Sequence, residues 1–421
     1  MKTQAVRLHG AGTLSLDEFE LPAYTESEIL ARVVSDSLCM SSYKAAVAGA
    51  AHKRVPDDVA EHPAIIGHEF CGEILAVGAK WAQSFHPGQR FAVQVALNYK
   101  GSYYTPGYSY PYVGGDATYI ILPNEIMECG CLLPYAGGDY FGASLAEPYS
   151  CVIGAFHASY HVARGSYVHE MGIRQGGVMA ILAGAGPMGL AAVDYAVHGP
   201  RRPAKLVVTD IDGARLARAE AMLSVQEAAR EGVELSYCNT AQLSDPRSAL
   251  FGLSGGNGYD DIFVFAPVAS VAELGDSILA PGGCLNFFAG PTDPEFSART
   301  NFYRVHYDGT HTVGTSGGNV EDMREAIALA AQGRIHPQYL VTHIGGLDCV
   351  AETTLRLPHI GGGKKLIYTG VRMPLTALEE LDALAARDAR FASLAGIVAE
   401  NGGLWSAEAE ACLLKTFGQK I

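Results

Sequence analysis

The sequence carries no basic excess. Its 30 lysines and arginines are outnumbered by 44 aspartates and glutamates, a formal net charge of −14. A nucleic-acid binder normally presents a basic face, so this balance argues against that class. It leaves an anionic small substrate open, because a few local cations suffice to hold one. Tandem repeats and low-complexity runs are missing too. So is an uninterrupted apolar span. Gly176 to Val193 carries no charge, but Gly184, Gly186, Pro187 and Gly189 break it, which suits a strand, a tight turn and a helix start better than a membrane helix. The opening stretch MKTQAVRLHGAGTLSLDEF has no apolar h-region, so neither a secretory signal nor a membrane partner is expected. Cysteine pairs at disulfide-framework spacing are absent. The nine cysteines are scattered and odd in number, which fits buried thiols in a reducing, cytoplasmic compartment.

Glycine is plentiful: 49 in 421 residues, without a period, which implies many tight turns. The length allows two or three domains. Up to residue 158 the texture is β-rich, with predicted strands in ILARVVSDSLC (29–39), CGEILAVGAKW (71–81) and PGQRFAVQVAL (87–97). Over 159–315 strands and helices alternate, from GGVMAILAGAGPMG through AKLVVTDID to YDDIFVFAP and GGCLNFFAG. Such alternation predicts an α/β domain with a doubly wound parallel sheet. Residues 316–372 return to mixed texture, and 373–421 read as a separate helical appendage. There Thr376 and Glu379 form an expected capping box, Asn401-Gly402-Gly403 stops one helix, and Ser406 caps the next, with Glu408 in its first turn.

Gly184-Ala185-Gly186-Pro187-Met188-Gly189 fits G-x-G-x-x-G between a buried strand and a helix, the context the motif requires. Its glycines allow a tight turn and close approach of a pyrophosphate to a helix N-terminus. Asp210 ends the next strand, 21 residues after Gly189. A carboxylate there accepts hydrogen bonds from an adenosine ribose and repels a 2′-phosphate, so NAD(H) is expected over NADP(H). Asp212 is the second choice for this contact, and Arg215 completes the expected cofactor set.

In IIGHEFCGEI (65–74), His68 and Glu69 sit between glycines in an apolar stretch. On a regular strand they would point apart; a bend at the glycines lets both approach one ion. Cys39 follows an apolar strand and Glu147 lies in SLAEPYSCV. Cysteine, histidine and carboxylate are zinc ligands, and three of them with an open position make a catalytic site. By residue type alone, a buried thiol and a hydrogen-bonded core histidine remain equally open.

The order of these features resembles the zinc-dependent medium-chain dehydrogenase/reductase family over roughly residues 1–370. GHEFCG matches its G-H-E-x-x-G signature, and Glu147-Pro148 matches its polyol and sugar dehydrogenase branch. The resemblance implies a β-rich GroES-like catalytic domain (1–158 and 316–372) and a Rossmann NAD-binding domain (159–315). It implies Cys39, His68 and Glu147 as zinc ligands and Glu69 as an exchangeable ligand or supporting carboxylate. It also implies dimers or tetramers. Two departures stand out. The segment NYKGSYYTPGYSYPYVGGDATY (98–119) has tyrosines where the family often carries four cysteines for a structural zinc, so one catalytic ion per chain is expected. Those tyrosines are open to roles in lobe packing, a subunit contact or sugar stacking. After Cys39, the family's Cys-x-Ser/Thr-Asp becomes Cys39-Met40-Ser41-Ser42, which keeps the relay hydroxyl on Ser41 and loses the acid. Ser41 and Glu69 are therefore the expected catalytic residues, with a local backbone bond as the other reading of Ser41.

Zinc would polarise a carbonyl and nicotinamide would carry hydride, so the expected reaction interconverts a secondary alcohol and a ketone. SLCMSSYK, GYSYPYVGGDATY, SYVHEMGI, TDIDGARLARA and NGGLWSAEAEACLL also resemble the sorbose-1-phosphate reductase group, end to end. That implies a ketose phosphate reduced to a hexitol phosphate, with Lys44, Lys53 and Arg54 holding the phosphate. The same cations read equally well as surface charge. An unphosphorylated polyol dehydrogenase and a non-catalytic nucleotide-binding protein are the other readings.

Overall fold

Valine and isoleucine in ILARVVSDSL form the strand Ile29–Leu38, buried along most of its length at the centre of a large sheet. This computed structural model describes residues 1–418, which fall into two units: Met1–Glu147 with the chain from Pro337 onward, and Pro148–His336. In the first unit the sheet runs Thr376–Ala377, Val341–Gly346, Lys364–Tyr368, Ile29–Leu38, Phe70–Val77, Arg90–Val93, Leu132–Pro134, with Tyr119–Leu122 also paired to Ile29–Leu38. A smaller sheet orders Thr13–Glu20, Lys2–Gly10 and Ala64–Ile65. Of the predicted strands, the third is shorter than expected, Arg90–Val93, because the chain leaves the ladder soon after its Pro-Gly turn.

The second unit is a six-stranded sheet in which every pairing is parallel: Glu234–Asn239, Lys205–Asp210, Val178–Leu182, Tyr259–Val264, Leu279–Phe287, His311–Val313. In sequence order that is 3-2-1-4-5-6, the dinucleotide-binding arrangement. Among the described residues no helix is long and apolar enough to cross a membrane.

The chain changes units at Glu147/Pro148 and His336/Pro337, whereas texture placed the boundaries at 158/159 and 315/316. The first crossing lies inside the helix Phe141–Ala158, where composition does not break. The second follows the helix Val320–Ala331, which buries Met323, Ala326 and Leu329 and whose buried Asp322 accepts a bond from His157 at 2.8 Å.

The segment after residue 373 is not an appendage. Thr376–Ala377 adds a strand to the first unit's sheet, antiparallel to Val341–Gly346. Trp405, Leu394, Leu413 and Phe417 share one core cluster with Phe141, Leu145, Ile344 and Tyr368. Glu410, 2% exposed, accepts bonds from the N–H groups of Tyr140 (2.6 Å) and Phe141 (2.9 Å) and from the Tyr368 hydroxyl (2.8 Å). Burial pushes its carboxyl up to about 7, and these bonds oppose that, because the first N–H groups of Phe141–Ala158 have no partner within the helix. Ser406 caps Ala407–Phe417 as expected, through Ala409 N–H at 3.1 Å. The Thr376/Glu379 box is displaced by one residue. Thr376 belongs to the strand, and it is Glu380 that reaches back to the Ala377 N–H at 3.4 Å.

Candidate active site

His68 and Glu69 occupy the irregular link between Ala64–Ile65 and Phe70–Val77. Gly67 turns the chain there with φ of 89°, and a Cβ on it would lie 2.6 Å from Asp116 N and 2.8 Å from Asp36 Oδ2, so only glycine fits. Asp36 Oδ1 takes the Glu69 N–H at 3.0 Å and fixes the bend. Cys39 ends the strand Ile29–Leu38 and caps the helix Met40–Ala48. One donor atom each from Cys39, His68 and Glu69 falls within 4.8 Å of the others.

His68 is 4% exposed, and burial draws its pKa down to about 4, with Glu69 opposing and Lys364 assisting. It is therefore neutral, the form that ligates a metal. Ser42 Oγ lies 3.1 Å from its Nδ1, which leaves Nε2 for an ion. The residue that replaced the motif's acid thus orients the ligand instead. Burial first, and the Glu69 charge second, push the Cys39 thiol up to about 12, so a compensating cation is needed before it serves as a thiolate. Ser41 Oγ lies 3.3 Å from Cys39 Sγ. The donor set, the neutral histidine and the desolvated thiol all fit a zinc ion.

Sequence reasoning missed Lys364. Its ammonium, 4% exposed, bonds both oxygens of Glu69, one of them at 2.6 Å. Two lysines opening the buried strand KKLIY were the available signal. Glu147 is 6% exposed and stands outside the tight donor group, though its charge reaches both Lys364 and Tyr108. Ser42→Ala is expected to weaken metal binding roughly 10–100-fold by freeing the imidazole, as removal of such supporting partners typically does. A chelator-competition titration measures it, and an unchanged affinity would mean that packing alone holds the ring.

Tyr108 was also missed, hidden among many tyrosines. It is 1% exposed, with its hydroxyl 3.3 Å from His68 Nε2. Its segment lies on the ligand loop: Gly115 N–H donates to Gly67 O at 2.7 Å, and a Cβ on Gly107 would sit 2.0 Å from that oxygen. Beside it stand the predicted cations. Arg54 places its guanidinium carbon 5.3 Å from the Tyr108 ring centroid, and Lys53 lies 5.7 Å from that of Tyr103. His52 stacks on Tyr108 at 5.8 Å and 7°. Burial lowers its pKa, helped by Arg54, Lys53 and Lys44, so all three cations share one neighbourhood.

In the second unit, Pro187 opens the helix Pro187–His198, with Gly186 as its cap. A Cβ on Gly189 would strike Gly184 O at 2.3 Å, while one on Gly186 would meet nothing within 4 Å. The first is the close helix packing, and the second the open approach, that a pyrophosphate site needs. Asp210, 6% exposed, accepts from Ile211 N (2.9 Å) and Asp212 N (3.1 Å) on Oδ1 and from Ala185 N (3.2 Å) on Oδ2, which ties it to the glycine turn. Asp212 is engaged as the cap of Gly213–Met222, through Ala214 N (2.9 Å) and Arg215 N (3.1 Å). The Arg215 side chain lies 3.5 Å from Asp212. A further cluster joins Asp194 to His198 (2.8 Å) and His336 (2.9 Å), with the Tyr149 hydroxyl on its other oxygen at 2.7 Å. Those are hydrogen-bond lengths, and the network reads as structural.

The family described as alcohol dehydrogenase GroES-like domain matches residues 25–129. The fold is similar to that of 2R,3R-butanediol dehydrogenase from Bacillus subtilis, with a TM-score of 0.70 at 19% identity, over 87% of this chain and 99% of that one. A GroES-like unit with a parallel dinucleotide-binding sheet defines an oxidoreductase, and the chain belongs to the medium-chain dehydrogenase/reductase family. Within it, the chain is 53% identical to L-sorbose 1-phosphate reductase of Klebsiella pneumoniae, over 98% of this chain and 97% of that protein. It is 48% identical to mannitol-1-phosphate 5-dehydrogenase of Aliivibrio fischeri, over 99% and 98%.

Proposed function

We propose that the protein is a zinc-dependent, NAD(H)-linked oxidoreductase that interconverts a ketose phosphate and a hexitol phosphate. Cys39, His68 and Glu147 would hold the metal, and Glu69, restrained by Lys364, would be the exchangeable carboxylate. The turn Gly184–Gly189 and Asp210 would hold the dinucleotide. When bound, zinc supplies Lewis acidity and the nicotinamide supplies or takes the hydride. Ser41, beside Cys39, would relay a proton between the substrate oxygen and the cofactor ribose, giving one to the oxygen and taking one from the ribose hydroxyl in reduction, and the reverse in oxidation. Ser42 keeps the imidazole in place, and Asp36 holds the bend that presents it.

The observation that carries the phosphate assignment is Arg54. Among the described residues no carboxylate pairs with its half-buried guanidinium, yet Lys44 and Lys53 crowd the same neighbourhood. A guanidinium with two further cations in its neighbourhood, beside a carbonyl-activating site, suits an anionic substrate. Initial rates of NADH oxidation with L-sorbose 1-phosphate and with L-sorbose test this. A strong preference for the ester supports it; equal turnover would assign the chain to unphosphorylated polyols.

Asp210→Ala is expected to narrow the preference for NADH over NADPH by about tenfold, the worth of one charge-assisted hydrogen bond and one relieved repulsion. An unchanged ratio of kcat/KM values would place the ribose contact elsewhere.

A further inference from the structure

We propose that Tyr108 and Arg54 act as one measuring pair, which selects sugars whose phosphate lies on the carbon next to the reacting carbonyl. The inference rests on the sugar-phosphate reading and adds a residue and a regiochemistry to it.

One tyrosine side chain joins the two ends of the site. Its hydroxyl meets His68 Nε2 at 3.3 Å, and the guanidinium of Arg54 lies over the same ring, 5.3 Å from its centroid. The metal-ligand histidine and the candidate anion holder thus lie against one and the same side chain. A ketose with its carbonyl on carbon 2 and phosphate on carbon 1 carries the two groups on adjacent carbons, the arrangement that suits two holders on one side chain. A phosphate on carbon 6 puts three more carbons between the two groups. The two relatives named above differ in this respect. One name puts the phosphate on the carbon next to a 2-ketose carbonyl, and the other puts it on carbon 1 with reaction at carbon 5.

The hydroxyl also needs an acceptor. In the structure His68 Nε2 is at hand, at 3.3 Å. Once Nε2 is committed to a metal, its lone pair no longer serves Tyr108. A buried hydroxyl left without an acceptor is destabilising. The reacting oxygen of the substrate supplies the missing acceptor, held between the Tyr108 and Ser41 hydroxyls. Tyr108 is therefore a substrate-contacting residue at one end and the platform for Arg54 at the other.

The test compares the 1-phosphates and 6-phosphates of L-sorbose and D-fructose with the free sugars, using the full-length holoenzyme. For the sugar that reacts faster, kcat/KM should favour the 1-phosphate over the 6-phosphate at least tenfold. Equal or better use of the 6-phosphate overturns the measuring pair while leaving the sugar-phosphate reading intact. Free sugars as good as both esters overturn that reading itself. Two variants separate the roles. In Arg54→Gln the gap between 1-phosphate and free ketose should close by tenfold or more, through KM, and calorimetric binding of the 1-phosphate should weaken in parallel. In Tyr108→Phe, which keeps the ring, kcat should fall on phosphorylated and free ketose alike while the gap between them persists. An unchanged kcat in Tyr108→Phe, or a persisting gap in Arg54→Gln, would overturn the assignment of that residue.

Discussion

Cys39→Ala and His68→Ala proteins should each lose bound zinc, and with it at least about a thousandfold in kcat, a loss comparable to removing a principal electrostatic group from an active site. The structure gives the reason why no neighbour substitutes. His68 is enclosed and Cys39 partly so, and the histidine is held neutral by burial with Nδ1 already taken by Ser42. Among the described residues the one further donor of the tight group, Glu69, is already held by the Lys364 ammonium. Metal analysis of dialysed protein beside initial rates of NADH oxidation measures both losses. They should appear together in each variant. A zinc-free variant that kept its activity would end the metal assignment.

Lys364→Met should destabilise the first unit by about 3–5 kcal/mol, the usual cost of stripping one partner from a buried ion pair. Lys364 and Glu69 are both nearly inaccessible, and both carboxylate oxygens are bonded to the ammonium. Without the lysine, the Glu69 charge has lost its counter-ion in a place water does not reach. Glu69→Gln should cost a similar amount by stranding the ammonium. The double variant should lose less than the sum of the two, because it strands neither charge. Denaturant midpoints of metal-free protein would show this. A loss below about 1 kcal/mol in Lys364→Met would mean that the carboxylate has a second partner, since that is the range of exposed pairs.

Much of the second unit was legible in the sequence because its signals are local. A glycine turn between a buried strand and a helix, with an acid at the end of the next strand, occupies fewer than forty residues, and each part constrains the next. Choosing Asp210 over Asp212 followed from strand position, and the structure uses Asp212 as a helix cap. The first unit was harder. Cys39 and His68 were visible as odd residues in apolar stretches, yet the partner of Glu69 lies 295 residues away. No periodicity links positions that distant. The tail's helices and the Ser406 cap were legible, but its packing was not. An amphipathic helix announces that it has an apolar partner, not which one, and so Trp405 and Leu413 gave no hint of Tyr368 and Ile344. Glu410 looked like one more acid in a helix's first turn, as Glu408 is. Its burial against Tyr140 and Phe141 depends on a helix more than 260 residues upstream.

The placement of Glu410 has a consequence for the order in which the molecule is made. Residues 148–336 are contiguous, so the parallel sheet can close as soon as the ribosome has released that stretch. The strand Lys364–Tyr368, the lysine that restrains Glu69 and the carboxylate at the head of Phe141–Ala158 are all translated later. A nascent chain therefore displays Cys39 and His68 long before the groups that discipline the neighbouring glutamates arrive. On the proposed reading, the unit that would hold the dinucleotide can be complete before the groups around the metal-ligand candidates have been made.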